Sequence, residues 1–218
     1  MDRKIKVGVM VGFIVLFLSG MVASAARAGS SMYKNYTKVN LGMNDFTGDL
    51  DDADYNAGFD AGATYGRYLG RYLTIEGGIN FFQTNQEFNG SNEVAGSYTR
   101  KDSIFVSSLL ATLKGEFPVG PVTLYGGAGV GSYFVTLYTD IETSRIGSFD
   151  EDDDDVVFGA HLVAGGYYDI TPRIFAGIEG MYRWTGDFEI QQNPATVPVQ
   201  VEGNLNGYAA TVSAGFRF

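Results

Sequence analysis

Few side chains in this chain can do chemistry, and their spacing is restrictive. His161 is the single histidine and cysteine is absent, so thiolate catalysis, thiolate metal sites and disulfides are excluded. Nucleophilic catalysis at His161 requires a nucleophile, the base and an orienting group to converge. Its neighbours Leu162 and Val163 provide neither partner, which favours a structural histidine in a polar network. Carboxylates are more numerous. "SFDEDDDDVV" contains six consecutive acids, Asp150 to Asp155. Hard cations take carboxylate oxygens, so Asp150, Asp152, Asp153 and Asp154 are candidates for weak divalent cation binding. The sixth residue from Asp150 is not glycine and the twelfth is His161, which rules out an EF-hand loop. The competing reading is a solvated run of mutually repelling charges. "NDFTGDLDDADYN" adds Asp45, Asp49, Asp51, Asp52 and Asp54. A third group is scattered: Glu76, Glu116 and Glu179, with Lys114, Arg183 and Arg217, each embedded in an otherwise apolar alternation.

Strands are the elements that position this third group. In "YAATVSAGFRF" alternate residues separate into Tyr208, Ala210, Val212, Ala214, Phe216 and Phe218 on one face and Ala209, Thr211, Ser213, Gly215 and Arg217 on the other. Seven further segments share the period. "TKVNLGMN" sets Val39, Leu41 and Met43 against Lys38, Asn40 and Asn44; "GFDAGATYGR" sets Phe59, Ala61, Ala63 and Tyr65 against Asp60 and Thr64. "LTIEGGINF" opposes Leu73, Ile75, Ile79 and Phe81 to Thr74, Glu76 and Asn80. "FVSSLLATLKGEF" opposes Phe105, Leu109, Ala111, Leu113 and Phe117 to Thr112, Lys114 and Glu116, with Val106 and Leu110 breaking the pattern in its upper half. "VTLYGGAGVGSYF", "FGAHLVAGGYYD" and "RIFAGIEGMYRW" complete the set, the last two placing His161, Asp169, Glu179 and Arg183 on the polar side.

Thirty glycines among 218 residues and a charged fraction of 18% suit strands and tight turns. A helical membrane bundle is excluded, because no second long apolar run follows the N-terminal one. That first run belongs to a three-part leader: basic "MDRKIK", apolar "VGVMVGFIVLFLSG", then "MVASAARA" with small residues for cleavage after Ala25 or Ala28. Residues 1–28 are therefore expected to be a signal peptide and 29–218 the mature domain. The leader carries Arg3, Lys4, Lys6 and Arg27 against Asp2, so a cut after Ala28 takes the net charge from −10 to −13. An acidic exported chain is a poor nucleic-acid partner.

The connections alternate in length. "YLGR", "PVGP" and "ITP" are brief, whereas residues 45–57, 83–102, 138–156 and 185–206 form long polar segments. An up-and-down transmembrane barrel has this asymmetry, with short periplasmic turns and long external loops. A soluble sandwich has no reason to gather its long loops at one end, and a lipocalin-like barrel would extract without detergent. The fold class expected is all-β: an eight-stranded antiparallel transmembrane barrel with its apolar faces in lipid. Phe117, Tyr168, Phe216 and Phe218 then form a periplasmic girdle, and Phe105, Phe134, Phe158, Tyr182, Trp184 and Tyr208 an external one.

On these residues the mature chain resembles the small outer-membrane barrels of the OmpA/OmpX type. The resemblance implies residence in the cell outer membrane of a Gram-negative bacterium. It also implies that Tyr208, Val212, Phe216 and Phe218 form the C-terminal signal read by the outer-membrane assembly machinery. "GIEGMYRW" and "LKGEF" look like strands of the same class. The His-x-Ser pattern of the deacylase barrels is missing around His161.

An eight-stranded barrel is just wide enough for side chains to fill it, and buried charges must be paired. The lumen is therefore expected to be a plug of ion pairs formed by Glu76, Lys114, Glu116, Glu179, Arg183 and Arg217. The function expected is non-enzymatic: envelope structure or surface interaction through acidic external loops, by a monomer with no cofactor beyond weakly bound calcium. Outer-membrane lipid and lipopolysaccharide are the expected partners, with Arg100 and Lys101 as candidate phosphate contacts. The external ligand is not specified by these loops. A narrow porin-like channel or apolar-solute conduit is the alternative, and a lipid A modifying enzyme a third reading. If the acids hold calcium, millimolar calcium should raise the melting temperature of the refolded barrel; an unchanged value excludes that role.

Overall fold

The computed structural model describes residues 33–47, 50, 57–92, 96–143, 147–192 and 199–218. The leader expected over residues 1–28 lies outside them. Eight strands close into one antiparallel barrel: β1 (Asn35–Phe46), β2 (Gly58–Tyr68), β3 (Leu73–Asn92), β4 (Gly96–Val119), β5 (Val122–Thr143), β6 (Gly147–Asp169), β7 (Ile174–Thr185) and β10 (Gly207–Arg217). Each pairs with its sequence neighbour, and β10 returns to β1. The terminal residue takes part in closure: the Phe218 N–H donates to Asn35 O at 2.9 Å and the Asn35 N–H to Phe218 O at 3.1 Å. Between β7 and β10 the chain forms a separate hairpin of β8 (Asp187–Gln192) and β9 (Val199–Asn204).

Alternation decides what each face meets. Val39, Leu41, Leu109, Leu113, Leu124, Val130, Phe158, Leu162, Ile178 and Val212 are exposed on the outside, while Lys38, Thr74, Glu76, Lys114, Glu116 and His161 are buried inside. This reverses a soluble protein and is the pattern of a barrel in hydrocarbon. From Ile174 to Trp184 the outward residues of β7 span about 25 Å along the membrane normal at ordinary strand rise and barrel tilt, the height of a lipid-facing band.

The barrel is lopsided. β1, β2, β7 and β10 have 11 or 12 residues, whereas β3 to β6 have 20 to 24. Residues 83–102 and 138–156, read from sequence as loops, are mostly strand: the β3–β4 ladder continues to Asn92↔Gly96 and the β5–β6 ladder to Thr143↔Gly147. Their outward positions are polar because they have left the lipid, so the alternation that marks a membrane strand stops while the hydrogen-bond ladder goes on. The acidic run belongs to this wall, since residues 150–155 lie on β6 opposite residues 135–140 of β5.

The wall has an apolar inner face. Phe82, Ile104, Val106, Tyr133, Val135, Leu137 and Val157 are buried together with Phe46, Leu50, Phe188, Ile190 and Leu205. Phe188 and Ile190 come from β8, and the Glu189 N–H donates to the Asp155 carboxylate at 3.2 Å. Val106 and Leu110, which break the sequence pattern of β4, therefore face inward: above the polar lumen the barrel interior becomes a hydrophobic core of the kind found in soluble proteins. The strands outside the membrane and the inserted hairpin form an external head.

Aromatic rings crowd the periplasmic end of the lumen, and two glycines admit them. A Cβ on Gly66 would lie 2.2 Å from the Tyr36 ring and one on Gly215 2.1 Å from the Phe175 ring. Gly66→Ala should therefore cost about 1–3 kcal/mol through overpacking, whereas Gly77→Ala, whose Cβ meets open space, should stay within about 0.5 kcal/mol; denaturant unfolding of the reconstituted barrel measures both. Phe188→Ala empties part of the head core and should make the β8–β9 hairpin susceptible to protease added outside, with the membrane strands still protected.

Candidate functional site

The polar groups of the lumen lie in levels along the barrel axis. At the periplasmic mouth Arg217 of β10 pairs with Asp169 at 2.7 Å and donates to the Tyr68 hydroxyl at 3.1 Å. Its guanidinium stacks over Phe175 and Tyr167 at 4.8 and 5.1 Å. Next, the Glu116 carboxylate accepts from Thr74 at 2.8 Å and from Tyr167 at 2.6 Å.

At mid-barrel four charges from four strands meet. Lys114 of β4 reaches Glu76 at 2.8 Å and Glu179 at 2.6 Å. Lys38 of β1 reaches Glu179 at 2.8 Å and Glu76 at 3.5 Å. Two ammonium groups therefore alternate with two carboxylates around a closed ring. Hydroxyl donors satisfy further lone pairs: Tyr36 donates to Glu76, and Tyr125 to Glu179 at 2.9 Å. Lys114 also lies 4.3 Å from the centre of the Tyr125 ring. Such geometry is what a buried ion pair needs for its attraction to offset the loss of water.

Above the ring, His161 Nε2 and the Thr112 hydroxyl are 2.8 Å apart. His161 Nδ1 is buried with no partner. A hydroxyl and an imidazole are thus in contact, but the orienting third group required for a nucleophile is missing. A cavity of about 30 Å³, lined by Asn40, Thr64, Glu76, Asn80, Thr112 and Glu179, lies at this level. A second of about 10 Å³ adjoins the ring near Tyr36, Glu116 and Tyr167. The larger has room for one or two waters and for nothing bigger.

The next polar level contains Asn44, Asp60, Asn80 and Arg183, and higher still the Thr139 hydroxyl donates to buried Asp102 at 3.1 Å. Asn80 donates to Asp60 at 3.2 Å. Arg183 donates through Nε to Leu205 O at 2.8 Å, and its guanidinium covers the Phe82 ring at 3.9 Å. The Asn44 amide, Asp60 Oδ1, Asn80 Oδ1, Tyr133 Oη and Arg183 Nη2 are buried without direct partners.

The structure thus brings together Glu76, Lys114 and Glu179 of the six residues expected to pair, and separates the others. Arg183 stands four residues beyond Glu179 on one strand, about 13 Å away at normal rise, so the two cannot pair. Glu116 and Arg217 belong to lower levels. Lys38 was missed as a lumen base, although the alternation that exposes Val39 turns it inward. No sequence signal says which levels meet, because that depends on register between strands.

The four acids considered for a cation lie along β6. Successive strand residues face opposite ways, which separates Asp153 from Asp154, both exposed. The side chains of Asp150 and Asp152 are outside the described residues, and among those described no group of three or more acids or histidines could hold a metal. Arg100 is engaged by Asp102 through Nε at 2.9 Å and through Nη2, while Lys101 is exposed. Tyr208, Val212, Phe216 and Phe218 share the outward face of the last strand.

A model of the outer membrane protein beta-barrel domain matches residues 13–218. No curated protein matches the sequence. Among solved structures, Neisserial surface protein A is similar at 13% identity and a TM-score of 0.52, covering 84% of this chain and 97% of that one. Ail, the attachment invasion locus protein of Yersinia pestis, aligns at 15% identity and a TM-score of 0.47, covering 86% and 100%. At these identities the likeness concerns the fold. With lipid-facing residues on every strand of a closed eight-stranded barrel and the family match over nearly its whole length, the chain belongs to the outer membrane protein beta-barrel domain family and resides in the cell outer membrane.

Proposed function

We propose that this protein is a non-enzymatic surface component of the outer membrane, with a lumen closed by ion pairs and an external head that makes its contacts. The observation that carries the reading is that the interior is closed both at mid-barrel and at its external end. The four-charge ring occupies mid-barrel, and the apolar core fastened by Phe188 and Ile190 occupies the external end. The exposed charges of the head are mostly acidic: Asp153, Asp154, Asp187, Glu189 and Glu202 are all exposed. A surface of that charge suits contact with cationic groups or repulsion of other anionic surfaces, both weakened by salt.

A narrow channel is the second reading, favoured by the two cavities on either side of the ring. They would join if Lys114 left Glu76. Catalysis has less support, because His161 lacks an orienting partner.

Single-channel recording in a planar bilayer separates the first two readings. The native chain should be silent, and Lys114→Ala should give at most irregular leaks; discrete native openings would establish transport instead. Lys38→Met leaves a carboxylate of the ring short of its counter-charge and should destabilise the barrel by about 3–5 kcal/mol. Replacing Lys38 and Glu179 together by Met and Leu should cost less than the single change, as denaturant unfolding would show. For the surface role, cells expressing the native chain should bind a polycationic surface in low salt. Neutralising Asp153, Asp154 and Glu189 should reduce that binding severalfold with barrel folding unchanged, and equal binding would remove the head from the function.

A further inference from the structure

The two rims of the barrel carry opposite charge. The external head is acidic, whereas the periplasmic rim exposes Lys34, Arg67, Arg71 and Arg173. Among the described residues the acids at that end are Asp169, ion-paired with Arg217 at 2.7 Å, and Glu116, buried in the lumen. Four exposed bases therefore face no matching set of exposed acids.

Their placement specifies the partner. Arg67 pairs in register with Ile75, whose outward side chain is exposed, so Arg67 points away from the lumen towards lipid. The outward column does not end there. Leu69, Val119 and Ile170, at the three turns, are 53%, 62% and 59% exposed. Apolar residues beyond an outward arginine mean that the membrane interface reaches the turns, so the Arg67 guanidinium lies at the depth of the headgroups. Arg71 lies over the face of Tyr72 at 5.2 Å, and Arg173 donates through Nε to the Tyr33 hydroxyl at 3.1 Å, so neither is held by a carboxylate. Neither contact occupies the Nη groups, and guanidinium N–H groups match phosphate oxygens.

We propose that the periplasmic rim is a lipid-binding belt, in which Lys34, Arg67, Arg71 and Arg173 hold phosphate headgroups of anionic phospholipid in the inner leaflet of the outer membrane. The belt is continuous with the lipid-facing wall and complementary in charge to its partner. It also fixes orientation, because the acidic head is repelled by the same headgroups.

Spin-labelled phosphatidylglycerol and phosphatidylcholine, compared by electron spin resonance in phosphatidylcholine bilayers containing the full chain, test this directly. The native chain should prefer the anionic label by about two- to fivefold, the range expected for single basic contacts at a charged interface. The preference should fall in high salt. Arg67→Gln, Arg71→Gln and Arg173→Gln combined should bring it to about one by the same reasoning, whereas Gln83→Ala, an exposed position towards the opposite rim, should leave it unchanged. Both leaflets contain label, but the external rim contributes equally to the native chain and the triple variant, so their difference isolates the belt. Equal preference in the two, or an equal loss from Gln83→Ala, overturns the proposal. So does a triple variant that keeps its lipid preference and instead loses co-sedimentation with peptidoglycan. If the triple variant does not fold, Arg67→Gln alone decides: a partial loss supports the belt, and no change overturns it.

Discussion

Hydrocarbon offers the peptide backbone no hydrogen-bond partner, and the rest of this structure follows from that constraint. A sheet can cross a membrane only if it leaves no edge, so β10 must return to β1. The paired bonds between Asn35 and Phe218 show how close to the chain's end that closure runs. Phe218 completes the ladder beside Asn35, and its ring stacks on that of Phe216.

Closure with eight strands then sets the interior. The lumen is too narrow for bulk water and too polar in its lower two-thirds for a simple oily core. Its charged groups stack in levels: those of the mouth and the ring satisfy one another by pairing, whereas Asp60 Oδ1 and Arg183 Nη2 above them have no direct partner. The ring of Lys38, Glu76, Lys114 and Glu179 draws one residue from each of four strands and so ties together distant parts of the circumference. Removing one charge disturbs the ring more than removing an opposite pair, because desolvation is compensated only in combination. Higher up, where solvent rather than lipid surrounds the strands, the economy reverses. The outside becomes polar and the inside apolar, and the β8–β9 hairpin fills the space left by the four short strands.

The same transition explains the charge asymmetry. Acids concentrate on the head, which is free in water, and exposed bases on the rim that contacts phospholipid. Neither distribution affects closure of the barrel, so both are available to specify what the protein meets on each side of the membrane.

Beyond the barrel itself, which also needed the alternation of short and long connections, strand alternation determined the lipid-facing columns of β1, β7 and β10 and the inward placement of Glu76, Lys114, Glu116, Glu179 and His161. Each depends only on period two, a local property. Tertiary structure decided the rest. Interstrand register selected Lys38 rather than Arg183 as the ring's second cation, because residues four apart on one strand cannot reach the same level. The extent of β3 to β6 was hidden for a related reason: above the membrane no apolar face remains to mark a strand, and a run such as Asp150 to Asp155 is held in a ladder by its neighbour on β5. Composition distinguishes lipid from water, and only pairing distinguishes strand from loop.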